Sequence, residues 1–193
     1  MQRMKLVKFI LPVVFVFFAV TGLYAERRDA GDYFLKPQAG LWFGPITPVF
    51  TTGQEVDTNL GGGVYFRYNT PFKPLKIGLD TSYQHFNSRG VNELTLWPVY
   101  GSFIYRIPIK FALTFQLKAG AGGCSVRIKP DNEQQWDPMG MIGVEGSFPA
   151  GKIVNIGLRI DYLFIYESYL KGATRNGHVI NTGLTLYFNM GGK

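Results

Sequence analysis

From Ile109 to Gly123 the chain alternates large apolar side chains (Ile109, Phe111, Leu113, Phe115, Leu117) with Lys110, Ala112, Thr114, Gln116 and Lys118. A period of two puts successive side chains on opposite faces of an extended strand, so this stretch predicts one apolar face and one small, sparsely charged face. The pattern recurs. Leu75, Ile77, Leu79, Thr81 and Tyr83 oppose Lys76, Gly78, Asp80, Ser82 and Gln84, while Val154, Ile156, Leu158, Ile160, Tyr162 and Phe164 oppose Asn155, Gly157, Arg159 and Asp161. Scored this way, strands are expected over 32–44, 59–68, 75–86, 93–105, 109–123, 139–148, 153–166 and 178–188, eight in all, with no helical period of comparable strength. The fourth is ambiguous: Leu94 and Leu96 share one face, Trp97, Val99, Phe103 and Tyr105 the other, and Pro98 removes a ladder hydrogen bond.

Connections after strands two, four and six are short (NTPFKP, RIP, PAGK), and those after one, three, five and seven are longer, the longest being CSVRIKPDNEQQWDP. Short turns at one end and longer loops at the other describe an antiparallel up-and-down meander. Two inversions of this geometry exist, a soluble barrel with its apolar face inward and a membrane barrel with that face toward lipid. Three features favour the second. The less apolar face is rich in small residues (Gly61, Gly63, Gly78, Ala112, Gly120, Gly122, Gly157, Gly183), which suits the crowded inside of a narrow barrel. Eight stripes of Leu, Ile and Phe would overfill such a lumen. Aromatics near strand ends (Tyr33, Trp42, Phe43, Tyr68, Phe86, Phe148, Tyr162, Phe164, Tyr166) fit the girdles of a membrane barrel. In lipid, closure is required, because an open sheet edge would leave amide groups without partners. The expected fold class is therefore an all-β, eight-stranded antiparallel up-and-down transmembrane β-barrel.

The leader agrees with export. Arg3, Lys5 and Lys8 precede an uncharged run from Phe9 to Ala25, interrupted by Pro12 and Gly22, and Glu26 follows. A basic start, an apolar stretch and a small residue at the cut predict a signal peptide over 1–25, cleaved after about Ala25, with the barrel domain over 26–193. Charged residues are scarce at 17% and aromatics reach 16%. Of the net charge of +7, three positive charges belong to the leader and the rest are dispersed through strand-like segments, so nucleic-acid binding is not expected. The single Cys124 has no partner for an internal disulfide and is expected as a small residue at a strand end.

The last strand ends in NTGLTLYF, 181–188, where Leu186 and Phe188 share a face beyond Gly183. These residues resemble the terminal insertion signal read by the outer-membrane assembly machinery, although the chain continues five residues past Phe188. With the leader and the meander, 26–193 resembles the small outer-membrane β-barrel family that includes the OmpA transmembrane domain and OmpW-like proteins. That resemblance implies the bacterial outer membrane as location, outer-membrane lipid and the assembly machinery as partners, and no cofactor. An OmpW-like member would pass small hydrophobic compounds through a lateral opening; no residue here specifies that route.

On the inner face the pattern places Lys36, Arg67, Lys76, Lys110, Lys118 and Arg159 against Asp80, Glu145 and Asp161. Charges removed from water must pair, so this set predicts a network that plugs the lumen, or a narrow, porin-like solute path favouring anions. The loop residues Asp131, Glu133, Trp136 and Asp137 offer a different role, a surface-exposed adhesin or ligand-binding barrel engaging host ligands, without the spacing of a calcium loop. His85 and His178 are the two histidines; neither joins a Ser, His and carboxylate arrangement, so neither catalytic nor metal-binding residues are assigned.

Overall fold

A computed structural model describes residues 34–87, 93–109, 111, 113–129, 133–151, 153–166 and 176–190. The leader, Tyr33, Lys110, Ala112 and Asp131 lie outside the described residues. Eight strands follow in order: β1 (Gln38–Pro48), then a short helix α1 (Thr52–Glu55), β2 (Asn59–Asn69), β3 (Leu75–Phe86), β4 (Glu93–Arg106), β5 (Thr114–Lys129), β6 (Glu133–Pro149), β7 (Val154–Ile165) and β8 (Gly177–Asn189). Each pairs antiparallel with its sequence neighbour, and β1 pairs with β8, so the sheet is a closed barrel. The seam runs from Ala39 opposite Phe188, through Phe43 opposite Leu184, to Pro48 opposite Val179.

Several boundaries move from those the pattern predicts, most of all in the first, fifth and sixth strands. The first strand begins at Gln38 rather than at residue 32. The fifth begins at Thr114, because Pro108 has no N–H for the ladder and the backbone folds locally instead: the Ile109 N–H donates to the Ile107 carbonyl and the Phe111 N–H to the Ile109 carbonyl. At the other end the long loop expected over 124–138 is mostly strand. Cys124 pairs with Asp137, Val126 with Gln135 and Ile128 with Glu133. The alternation in fact continues there, with inward Val126 between Ser125 and Arg127 on the outer face, and its polar residues disguise it. Cys124 is accordingly fully buried within β5 rather than at a strand end.

The faces sort as a membrane barrel requires. Leu79 is 59% exposed, Ile142 62% and Leu184 58%, whereas Arg67, Lys76 and Arg159 have no exposed surface at all. An apolar exterior around buried charge inverts the soluble pattern and is stable only against hydrocarbon. The fourth strand resolves with Trp97, Phe103 and Tyr105 outward and Leu96, Tyr100, Ser102 and Ile104 inward. Phe43, Tyr68 and Tyr166 sit on the outer surface, but Trp42 and Phe86 point inward, 3% and 0% exposed, and leave the expected girdle. They do so because inner-face parity, not nearness to a strand end, decides which side a residue takes.

The interior is layered. Toward the end carrying the β1–β2, β3–β4, β5–β6 and β7–β8 connections (the loop end), Ile46, Phe86, Leu96, Val126, Met139, Leu163, Ile165 and Val179 form an apolar cluster. Toward the opposite turn end the same inner faces become polar, as along β7 from Ile165 and Leu163 to Asp161, Arg159 and Asn155. The small, polar lumen expected from sequence is thus confined to the middle and the turn end; apolar packing fills the rest.

Candidate functional site

The charged middle layer is built from inward positions of five strands. Arg67 on β2 meets Glu145 on β6, Nη1 donating to Oε1 at 3.0 Å and Nη2 to Oε2 at 2.6 Å. Arg159 on β7 reaches Asp80 on β3, Nη2 to Oδ1 at 3.4 Å, and pairs along its own strand with Asp161, Nε to Oδ2 at 2.5 Å. In an eight-stranded barrel, strands four apart lie across the bore, so Arg67–Glu145 and Arg159–Asp80 are two bars spanning the lumen. Lys118 on β5 ties them together, its Nζ 2.6 Å from Asp161 Oδ1 and 3.6 Å from Glu145 Oε2. All six are buried, and each charge faces at least one of opposite sign, which is what offsets desolvation. The bidentate Arg67–Glu145 pair has the fork geometry that makes such contacts strong.

Aromatic and hydroxyl groups complete the layer. The Arg67 guanidinium carbon lies 4.2 Å from the Tyr65 ring centroid and 5.5 Å from that of Tyr187, and Arg159 lies 5.1 Å from that of Trp42. Tyr187 donates to Ser147 Oγ at 2.7 Å, Ser102 to Asp80 Oδ2 at 3.1 Å, and Tyr65 bonds Thr185. Arg159 Nη2 also donates to the Tyr100 hydroxyl at 3.3 Å.

Of the residues assigned to the lumen, Arg67, Lys76, Asp80, Lys118, Glu145, Arg159 and Asp161 are inward and buried. Lys76 stands apart from the other cations: its Nζ donates to the Lys36 carbonyl at 2.5 Å and, among the described residues, faces no carboxylate. Lys36 is a correction. It lies before β1, outside the strands, and contributes its main-chain oxygen. Lys110 lies outside the described residues. Tyr65 and Tyr187, not singled out from the sequence, carry a signal there all the same: Tyr65 is two residues from Arg67, and Tyr187 sits between outward Leu186 and Phe188, so both have inward parity.

In the terminal segment, Phe188 is outward, Leu186 shares its side, and Gly183 is inward against the Phe43 backbone. Of the four loop residues, Asp131 is not described, Glu133 opens β6, and Trp136 and Asp137 lie within β6 on opposite faces, Trp136 62% exposed outside and Asp137 2% exposed inside. Trp136 and Asp137, on opposite faces of the sheet, share no surface. The histidines face outward, His85 Nδ1 3.1 Å from Thr95 Oγ1 and His178 Nδ1 2.6 Å from the Tyr162 hydroxyl. Among the described residues no group of three metal-ligating side chains is present.

A closed, apolar-coated meander with an ion-paired interior defines a small transmembrane β-barrel of the kind found among outer-membrane proteins. Two solved structures share this fold. Neisserial surface protein A (NspA) superposes with a TM-score of 0.59 at 9% identity, over 80% of this chain and 97% of that one. The outer membrane protein OprG from Pseudomonas aeruginosa superposes with a TM-score of 0.52 at 12% identity, over 80% and 97%. At such identities the likeness is one of fold. No described protein family matches the chain, and no curated protein matches it in sequence.

Proposed function

We propose that the chain is an integral outer-membrane barrel whose primary role is structural, with a bore that is plugged rather than open. The observation that carries this reading is the pair of bars crossing the lumen, Arg67–Glu145 and Arg159–Asp80, tied by Lys118 and backed by the apolar cluster. Two bars and a packed layer stand in the way of a continuous polar path among the described residues, and moving an ion past them would require breaking buried pairs at several kcal/mol each. In this reading its partners are outer-membrane lipid around the apolar band and the assembly machinery during insertion, with Gly183, Leu186 and Phe188 as the recognised segment; no enzymatic step is assigned. Purified, refolded protein in planar bilayers is expected to give small conductance at most. Large, stable open-channel currents would overturn the plugged-lumen reading and favour a porin-like path.

One observation favours a second role at the loop end. β5 and β6 are the longest strands, and among the described residues β6 pairs with β7 only from Met139 onward, with the Tyr166 N–H reaching the Pro138 carbonyl, so the segment from Glu133 to Asp137 stands beyond β7 with Trp136 exposed. An exposed aromatic on a projecting sheet suits contact with a host surface. Trp136→Ala is expected to weaken adhesion to cells or matrix while leaving folding intact; unchanged adhesion removes this reading and leaves the structural one untouched.

A further inference from the structure

At the turn end, residues 34–37 lie outside the strand ladder yet cross the mouth of the barrel. Three successive carbonyls of this strap are taken by groups on or just beyond three different strands. Leu35 O accepts from Asn69 Nδ2 at the end of β2, Lys36 O from Lys76 Nζ on β3 at 2.5 Å, and Pro37 O from the Met190 N–H just past β8 at 2.7 Å. Phe34 is 3% exposed, its ring 4.7 Å from Lys76 Nζ and 5.7 Å from the Arg106 guanidinium carbon. Beneath it is a cavity of about 10 Å³ lined by Phe34, Gln38, Ser147, Asn155 and Tyr187, room for about one water. Among the described residues the Asn155 Nδ2 there has no hydrogen-bond partner, although the residue is 3% exposed.

We propose that residues 34–37 are a latch. Held by side-chain and end contacts rather than by a β-ladder, it can lift without opening the barrel, and it closes a blind vestibule that ends at the Arg67–Glu145 bar. Closed, the Phe34 ring and the Lys36 carbonyl supply the partners that Lys76 lacks among carboxylates. Lifted, it leaves Lys76 and Arg106 facing water with no acidic partner among the described residues, so the vestibule takes small anions in place of the carbonyl and the ring.

Thiol labelling tests this. In a Cys124→Ala background, Ser147→Cys places an inner reporter thiol behind Phe34, and Gly151→Cys places a control thiol on the exposed β6–β7 turn. Two methanethiosulfonates of similar size are compared, one carrying a sulfonate and the other a trimethylammonium group, on protein whose fold is verified by its unboiled gel mobility. The inner thiol is expected to react at least tenfold faster with the sulfonate reagent once Phe34→Ala is added, to prefer it over the cationic one, and to lose that preference with Lys76→Met. Labelling of the control thiol is expected to be unchanged throughout. Equal inner-thiol rates with and without Phe34→Ala overturn the latch, as does fast labelling behind an intact Phe34. A faster cationic reagent overturns the anion-accepting vestibule. If Phe34→Ala does not fold, Lys76→Met carries the test, since loss of its bond to Lys36 is itself expected to accelerate labelling of the inner thiol.

Discussion

Glu145 concentrates the electrostatics of the lumen in one side chain, accepting two bonds from Arg67 and facing Lys118. Deleting one member of a buried pair leaves the other uncompensated, whereas replacing both with apolar groups of similar volume is often neutral or better. Glu145→Gln is therefore expected to destabilise the refolded barrel by about 3 kcal/mol in urea titrations in lipid vesicles, and Arg67→Met with Glu145→Leu by clearly less. A single and a double substitution of equal cost would show that the pair does not act as a unit. Glycines at inner positions make a second residue-scale case. A Cβ at Gly44 would sit 2.2 Å from the Thr182 carbonyl oxygen and 2.5 Å from Gly183 Cα, both main-chain atoms that cannot swing aside, whereas one at Gly140, on the outer face, meets nothing within 4 Å. Gly44→Ala is expected to lower stability by about 1–3 kcal/mol and Gly140→Ala to leave it within about 0.5 kcal/mol, read from the same titrations.

At the scale of elements, legibility followed the contrast between the two faces of each strand. β3 runs from Leu75 to Phe86 as its alternation predicts, because Ile77, Leu79 and Tyr83 differ sharply from Lys76, Asp80 and Gln84. Seven of the charges assigned to the lumen lie there for the same reason: parity and charge agree. The strand-end tip of β5 and β6 was lost because outward positions beyond the lipid band are polar (Arg127, Gln134), which erases the contrast while the backbone continues to pair. The apolar layer was lost for the opposite reason, since Leu96 and Phe86 are as apolar as the exterior. Nothing local in the sequence shows that Arg67 meets Glu145, since that contact depends on closing the whole sheet. The outer face of β6 gives the matching prediction: Val144→Arg, on the exposed apolar band, is expected to cost about 2–4 kcal/mol in a bilayer near its midplane. A negligible cost would place β6's outer face away from lipid.

For the molecule as a whole, closure of β1 on β8 leaves no free edge, so every strand keeps its ladder even in detergent. A barrel of this kind is expected to resist SDS until boiled, giving a compact, faster band on an unboiled gel and a slower one after heating. Identical mobility before and after boiling would count against the inverted, lipid-facing architecture from which the other readings follow.

The bars across the bore join residues far apart along the chain, Arg67 with Glu145 separated by 78 positions and Arg159 with Asp80 by 79. No single hairpin contains both halves of either pair. A nascent hairpin entering hydrocarbon alone would carry bare charge into a medium that penalises it severely. Stepwise insertion of one hairpin after another is thereby disfavoured, and the route the interior permits is a concerted one, in which the sheet curls, neutralises its own charges and enters the bilayer as a nearly finished cylinder.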